Sequence, residues 1–221
     1  MKFGVVFLAL LAGSGAWALI QGRSTAAEVP YDSPIASNQR LTALTGLIVY
    51  VGLAAIAVTV IDISGLLEEH YLVGFLLVPP VLLKLGSTGY RFFRYYAGDH
   101  AYRLAGAPPI LLRFVVAPIL VASTVVVFAT GLELWLFGLG FGSVWLTVHT
   151  ASAAVMLLAA AAHLVAHLRR STTTTWTDAM VKGREALSPR SLVGGSLLLG
   201  AVLAVASLLY ASPFSQSVGA S

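Results

Sequence analysis

One long apolar stretch, residues 143–168, restricts the fold of this chain more than any other feature. It carries three of the five histidines, His149, His163 and His167. A helix rises about 1.5 Å per residue, so a helix of this length exceeds a hydrocarbon core of about 30 Å. Ionisable side chains inside such a core are costly and by default mark functional positions. The stretch therefore predicts a transmembrane helix that carries a histidine site.

The composition extends this prediction to the whole chain. The sequence is 58% hydrophobic and 10% charged, whereas soluble domains usually carry about 25% charged residues. We therefore predict an integral membrane protein that crosses the membrane several times. The chain has no cysteine, which excludes disulfides, thiolate metal sites and covalent c-type haem attachment. A tightly held cofactor would have to rely on histidine, methionine, carboxylates or packing.

The other apolar segments predict an all-α bundle of five core transmembrane helices plus one N-terminal hydrophobic helix. They are residues 3–20, 41–63, 69–86, 109–136 and 192–210. We divide the chain into an N-terminal helix and polar linker (1–40), the transmembrane bundle (41–211) and a C-terminal tail (212–221). Pro79-Pro80 lies inside the third segment and predicts a kink, because proline removes backbone donors.

The basic residues predict the orientation. Ten of them flank two loops, 87–108 and 169–190: Lys84, Arg91, Arg94, Arg103, Arg113, Arg169, Arg170, Lys182, Arg184 and Arg190. The opposite links, around 62–69 and 133–142, hold acidic residues but no lysine or arginine. Cytoplasmic loops are enriched in basic residues, so we expect both basic loops to be cytoplasmic. We attribute the basic pI to this topology and expect no nucleic-acid partner. Residues 3–20 contain a small-residue motif typical of signal peptides, but this orientation favours an uncleaved helix.

Two histidines on different helices are predicted to lie at a similar depth in the outer half of the membrane. His70 begins its helix from the outer side, and His149 lies about one and a half turns into a helix that also begins there. Two neutral imidazoles that face each other across a bundle can be the axial ligands of a b-type haem. Gly74, four residues after His70, would leave space for the porphyrin on the same helix face.

The remaining candidates lie towards the cytoplasmic side. His163 shares a helix face with His149 and is roughly 21 Å further along the axis, and His167 follows one turn later. A second haem there would need His100, another donor or a partner subunit to pair with His163. Lys84 and the nearby Arg91 can pair with haem propionates or with lipid phosphates. The alternative for His70, His149 and His163 is helix packing through an ordinary hydrogen bond. For His167 it is a position at the membrane interface, and for His100 a place in a solvated loop.

The segments LEEHYLVGFLLVPPVLLKLGSTGYRFFRYYAGD and VHTASAAVMLLAAAAHLVAHL resemble cytochrome b-like membrane proteins of bacteria. The resemblance covers roughly residues 41–170. It implies a helical bundle that holds b-type haem and passes electrons between the quinone pool and a partner redox subunit. It also implies that His70, His149 and His163 are iron ligands, with His167 at a further histidine position. Di-haem members have two helices with two histidines each, and the helix that begins near His70 has no second one. One haem b is therefore expected, and a second is left open.

From these observations we predict a b-type cytochrome of the bacterial cytoplasmic membrane, in contact with lipid and with quinone or quinol. It would serve as an electron-transfer subunit more readily than as an enzyme by itself. The alternative is a non-redox scaffold subunit of a larger complex or a small transporter. Replacement of His70 and His149 discriminates the two, because a scaffold would tolerate it and a haem protein would lose its colour.

Overall fold

The computed structural model describes residues 34–104, 110–180 and 188–219, together with Val5, Val6 and Ala9. Within this part the chain forms α1 (Pro34–Ile61), α2 (Leu67–Tyr96), α3 (His100–Leu104), a π-helical turn (Leu112–Val116), α4 (Ala117–Phe137), α5 (Val144–Met180), α6 (Pro189–Ser207) and α7 (Pro213–Gly219). Five helices are long and apolar enough to cross a membrane: α1, α2, α4 with the π-helical turn, the first part of α5, and α6. The predicted all-α membrane bundle with five core helices is therefore confirmed. The predicted N-terminal helix, residues 3–20, lies outside the described residues apart from the three named.

The bundle has two distinct ends. We call the end with the links after Ile61 and Phe137 the histidine end, because His70 and His149 lie close to it. We call the opposite end, at residues 97–104, the basic end. α1 packs against α2, α5 and α6; α2 also packs against α6, and α4 packs against α5. In contrast, α2 and α4 meet at only a few positions.

Three helices are longer than the apolar segments predict. α1 begins at Pro34 and not near residue 41, and α2 continues through Pro79-Pro80 to Tyr96 and not only to residue 86. α5 continues to Met180 and not only to residue 168, through part of the predicted loop 169–190. The added part of α2 contacts α1 through Ser87. Asn38 donates to the Ser87 carbonyl (3.3 Å) and Thr42 donates to Ser87 Oγ (3.1 Å). Hydropathy measures the apolar stretch alone, so it does not register polar helical turns that extend beyond the hydrocarbon core.

Small residues allow the helices to pack closely in the centre. Ala57 of α1 and Ala161 of α5 are buried together with Met156 and Leu157. Many large apolar side chains of the spans are exposed, as expected for surfaces that contact lipid chains. In a membrane, association between helices depends on close packing and on hydrogen bonds, since lipid is as apolar as the side chains.

Gly200 of α6 lies directly against the backbone of α2. A Cβ at this position would collide with the Leu76 carbonyl oxygen. That carbonyl is four residues before Pro80, which has no N–H to donate to it. The proline thus frees a carbonyl, and the glycine permits α6 to cover it. Close Cα–H contacts of this kind are common where membrane helices cross.

The π-helical turn before α4 has a local cause as well. Pro118 cannot donate a hydrogen bond, and its ring would clash with the carbonyl of Phe114 in a regular α-helix. The turn widens instead, and the Ala117 N–H donates to the Leu112 carbonyl, five residues back. The wide turn lies at the basic end and contains Arg113.

The C-terminal segment is fixed to the histidine end. Ser212 Oγ donates to the Trp135 carbonyl and Tyr210 Oη to the Leu136 carbonyl, both at 2.8 Å. α7 follows and packs against α4. Gly138, which ends α4 with a φ of 61°, lies against Pro213 and Phe214. The predicted tail thus contains a short helix that closes this end of the bundle.

Candidate functional site

His70 and His149 lie next to each other near the histidine end of the bundle. His70 is in the first turn of α2 and His149 in the second turn of α5. Their ring centroids are 6.4 Å apart, and the ring planes are inclined by 78°. The two positions predicted to share a depth in the membrane are therefore also neighbours across the bundle.

The Nδ1 atom of His70 is held by a threonine of the neighbouring helix. Thr59, in the last turn of α1, lies 2.8 Å from this nitrogen. The Thr59 hydroxyl donates its own proton to the Ile56 carbonyl (2.8 Å). A hydroxyl has a single proton, so a Thr59 that donates to Ile56 accepts from His70 Nδ1–H. In that tautomer of a neutral His70, Nε2 keeps its lone pair.

The same arrangement recurs at His149 with two acceptors. Its Nδ1 lies 3.1 Å from the Val127 carbonyl oxygen and 3.1 Å from Thr130 Oγ1, both on α4. A carbonyl can only accept, and Thr130 donates its proton to the Val126 carbonyl (2.7 Å). His149 Nδ1 therefore carries a proton. Both imidazoles are oriented through Nδ1 by neighbouring helices, and in the neutral form each can ligate a metal through Nε2.

The hydroxyl groups that contact the pair are buried. Thr59 and Thr130 are 5% and 4% exposed, so the orienting hydrogen bonds are shielded from competing solvent. Gly131 permits the approach of His149 to α4, since a Cβ there would lie 3.0 Å from its Cε1 atom. In contrast, a Cβ at Gly74 would meet no atom within 4 Å. The backbone of α2 at Gly74 thus borders open space, and its role beside a porphyrin stays a prediction.

The side chains available as ligands limit which metals the site can bind. Among the described residues, no group of three or more histidine, cysteine or carboxylate side chains is placed to hold a metal ion. A bare zinc ion usually takes three or four protein ligands. Two imidazoles alone fit a metal that brings its other ligands with it, as haem iron does.

The structure separates the other predicted site residues from this pair. His163 is half-buried on α5, fourteen residues or roughly 21 Å beyond His149. Of residues 165–180 only the helical backbone is described, so the side chain of His167 lies outside the described part. His100 is exposed on α3.

Lys84 and Arg91 are also distant from the pair, at the basic end. Lys84 is roughly 21 Å along α2 from His70, and Arg91 lies a further seven residues on. The Lys84 ammonium donates to the Thr42 carbonyl of α1 at 2.5 Å. Gly46 makes room for it, because a Cβ there would lie 2.8 Å from Nζ. Neither residue can contact a group bound between His70 and His149, and their predicted role would apply to a ligand at the basic end.

The orienting threonines are the site residues that the sequence reasoning missed. The sequence does contain a signal for such threonines. A threonine inside an apolar span usually donates its proton to its own helix, which leaves its oxygen as an acceptor. Thr59 and Thr130 are such residues, but the sequence does not show which helices are neighbours.

No protein-family model, no curated protein and no solved structure matches this chain. The resemblance to cytochrome b-like proteins therefore stays a prediction, and the histidine pair is the main support for any function.

Proposed function

We propose that this protein is a membrane b-type cytochrome that holds one haem between His70 and His149 and passes electrons between the quinone pool and a redox partner. The observation that carries the proposal is the state of the two imidazoles. They belong to different helices, lie side by side, and are both engaged at Nδ1 by groups of neighbouring helices, which leaves Nε2 of each neutral ring for iron.

The haem would supply one-electron chemistry, and the chain would determine how it is held. Thr59, Thr130 and the Val127 carbonyl fix the ring orientations and raise the basicity of the ligating nitrogens. Gly74 leaves open space on the face of α2 that carries His70. Burial and nearby charge would adjust the reduction potential.

The position of the site also agrees with electron exchange at one membrane face. His70 is in the first turn of its helix and Thr59 is in the last turn of the preceding one. A haem there would be close to the histidine end, where a partner at the membrane surface could approach it. We propose that this end receives or delivers electrons, and that the other exchange is with quinone in the membrane.

The test is a dithionite-reduced minus oxidised visible spectrum of the detergent-purified protein, with haem quantified per chain. We expect a sharp α-band of six-coordinate haem b and about one haem per chain for this bis-histidine site. His70→Ala and His149→Ala should each remove this haem. The matched control is His100→Ala, which changes an exposed histidine and should keep it.

Two results would contradict the proposal. One is a colourless wild-type protein that was expressed with haem available, and it would favour the scaffold or transporter. The other is full haem retention in His70→Ala or His149→Ala, which would assign the ligands elsewhere. Size-exclusion chromatography of each variant checks that it is folded. If the wild type binds more than one haem per chain, His163→Ala reports whether the additional haem occupies a second site.

A further inference from the structure

Arg113, at the basic end, makes no ion pair within the described part of the chain. Its guanidinium carbon lies 4.5 Å from the Phe114 ring centroid and 5.8 Å from that of Tyr96, the last residue of α2. Its Nε atom is buried and has no hydrogen-bond partner there. An arginine whose buried N–H has no partner is suited to bind an anionic group.

Among the described residues, Arg94, at the same end of the bundle, has an acidic partner, unlike Arg113. Arg94 forms an ion pair with Asp99. Burial would raise the pKa of Asp99, but the Tyr102 N–H, the Arg94 guanidinium and the Ala101 N–H together hold it below its usual value. The carboxylate is therefore ionised at neutral pH and occupied by Arg94. It is the single acidic residue between positions 84 and 113, against five basic ones: Lys84, Arg91, Arg94, Arg103 and Arg113.

Arg113 lies at the basic end of the cleft between α2 and α4. Its contact with Tyr96 connects the start of the α4 span to the end of α2, the two helices that otherwise barely meet. Between them, nearer mid-membrane, lies a groove of about 170 Å³ lined by Val78, Val81, Leu82, Leu85, Thr124, Val125 and Phe128. Leu82 and Val125 are 62% and 56% exposed, so the groove is open to the lipid side.

The distance between the groove and Arg113 matches one lipid leaflet. Val125 is twelve residues from Arg113, or roughly 18 Å along a helix, and half of a hydrocarbon core is about 15 Å. A lipid with its headgroup at Arg113 would therefore place the end of an acyl chain in the groove. The excess of positive charge at this end selects an anionic headgroup.

We propose that the cleft between α2 and α4 binds an anionic phospholipid, with its phosphate at Arg113 and one acyl chain between the helices. The phosphate would accept from the buried Nε and the adjacent guanidinium nitrogen in the bidentate manner that arginine favours. The π-helical turn caused by Pro118 is the segment that carries Arg113 at this position. The proposal is independent of haem binding.

The experiment is a native mass-spectrometry titration of the full-length purified protein with phosphatidylglycerol, and with phosphatidylcholine of the same acyl chains. We expect preferential binding of one phosphatidylglycerol, and Arg113→Gln should weaken it roughly tenfold. Arg103→Gln is the matched control. It removes an exposed charge of the same loop, whose Nε donates to the Tyr95 carbonyl, and it should leave the binding unchanged.

A second pair of variants tests the acyl chain. Val125→Phe fills the groove and should also weaken phosphatidylglycerol binding, whereas Val202→Phe, on an exposed position of α6, should not. Glycerol phosphate, which has no chains, should not compete. Equal binding of the two lipids, an equal loss in Arg103→Gln, or competition by glycerol phosphate would each overturn the proposal. Unchanged melting temperatures of the variants confirm that binding, and not folding, was altered.

Discussion

At the scale of single residues, the contacts that orient two histidines determine what the site can do. His70 has one orienting acceptor, Thr59 Oγ1, whereas His149 has two, Thr130 Oγ1 and the Val127 carbonyl. Loss of one threonine should therefore affect the two histidines differently. A buried N–H without a partner lowers the free energy of unfolding by about 1–3 kcal/mol. Loss of a group that orients a metal ligand typically lowers metal affinity roughly 10- to 100-fold.

Thr59→Val removes the single acceptor of His70 while keeping the side-chain shape. We expect haem affinity to fall by roughly 10- to 100-fold, measured by haem titration of the apoprotein. Thr130→Val should have a smaller effect, because the Val127 carbonyl remains. Thr45→Val is the control, since Thr45 is fully buried on the same helix but donates only to α1 carbonyls. Equal affinity of Thr59→Val and Thr45→Val would show that Thr59 does not orient the ligand.

At the scale of helices, proline and glycine act as a pair across the α2–α6 interface. Pro80 leaves the Leu76 carbonyl without its usual donor, and Gly200 allows the α6 backbone to approach that oxygen. The helix continues to Tyr96 without interruption, because a neighbouring helix covers the freed group. This is the usual way in which membrane helices tolerate an internal proline.

Gly200→Ala should separate α6 from α2. The added methyl would collide with the Leu76 carbonyl, and overpacking of this kind typically costs about 1–3 kcal/mol of the free energy of unfolding. Denaturation in mixed micelles with increasing dodecyl sulfate measures this change. Gly195→Ala, on the same helix, provides the comparison because its Cβ would meet no atom within 4 Å. If both variants unfold at the same detergent fraction, the contact contributes nothing to stability.

At the scale of the whole molecule, the charges of the two ends differ in sign. The histidine end carries Asp62, Glu68, Glu69 and Glu133, and the basic end carries the arginines of the loop between α2 and α4. Because cytoplasmic segments are enriched in basic residues, we expect the histidine end and its site to face away from the cytoplasm.

Cysteine labelling tests this orientation, because the chain has no cysteine of its own. Ser64→Cys lies in the exposed link at the histidine end, and Ala101→Cys lies in the exposed loop at the basic end. We expect a membrane-impermeant maleimide to label the first variant in intact cells and the second only after permeabilisation. The reverse pattern would place the histidine site on the cytoplasmic side.

The sequence alone determined the class of the fold and the depth of the site. Hydrophobic length and the scarcity of charge predict five core spans, because an uncharged helix of about 20 residues matches the hydrocarbon core. Helix direction then places His70 and His149 at one depth, since both begin their helices from the same side. These properties are local or periodic, so they can be read along the chain.

The tertiary structure decided which residues touch. The partners of the two histidines are Thr59, eleven residues before His70, and Thr130, nineteen residues before His149. Nothing in either spacing identifies them, because contacts between membrane helices depend on rotation and packing and not on hydropathy. The same reason applies to Gly200 against Leu76 and to Arg113 beside Tyr96. Each of these contacts forms only when the helices pack together.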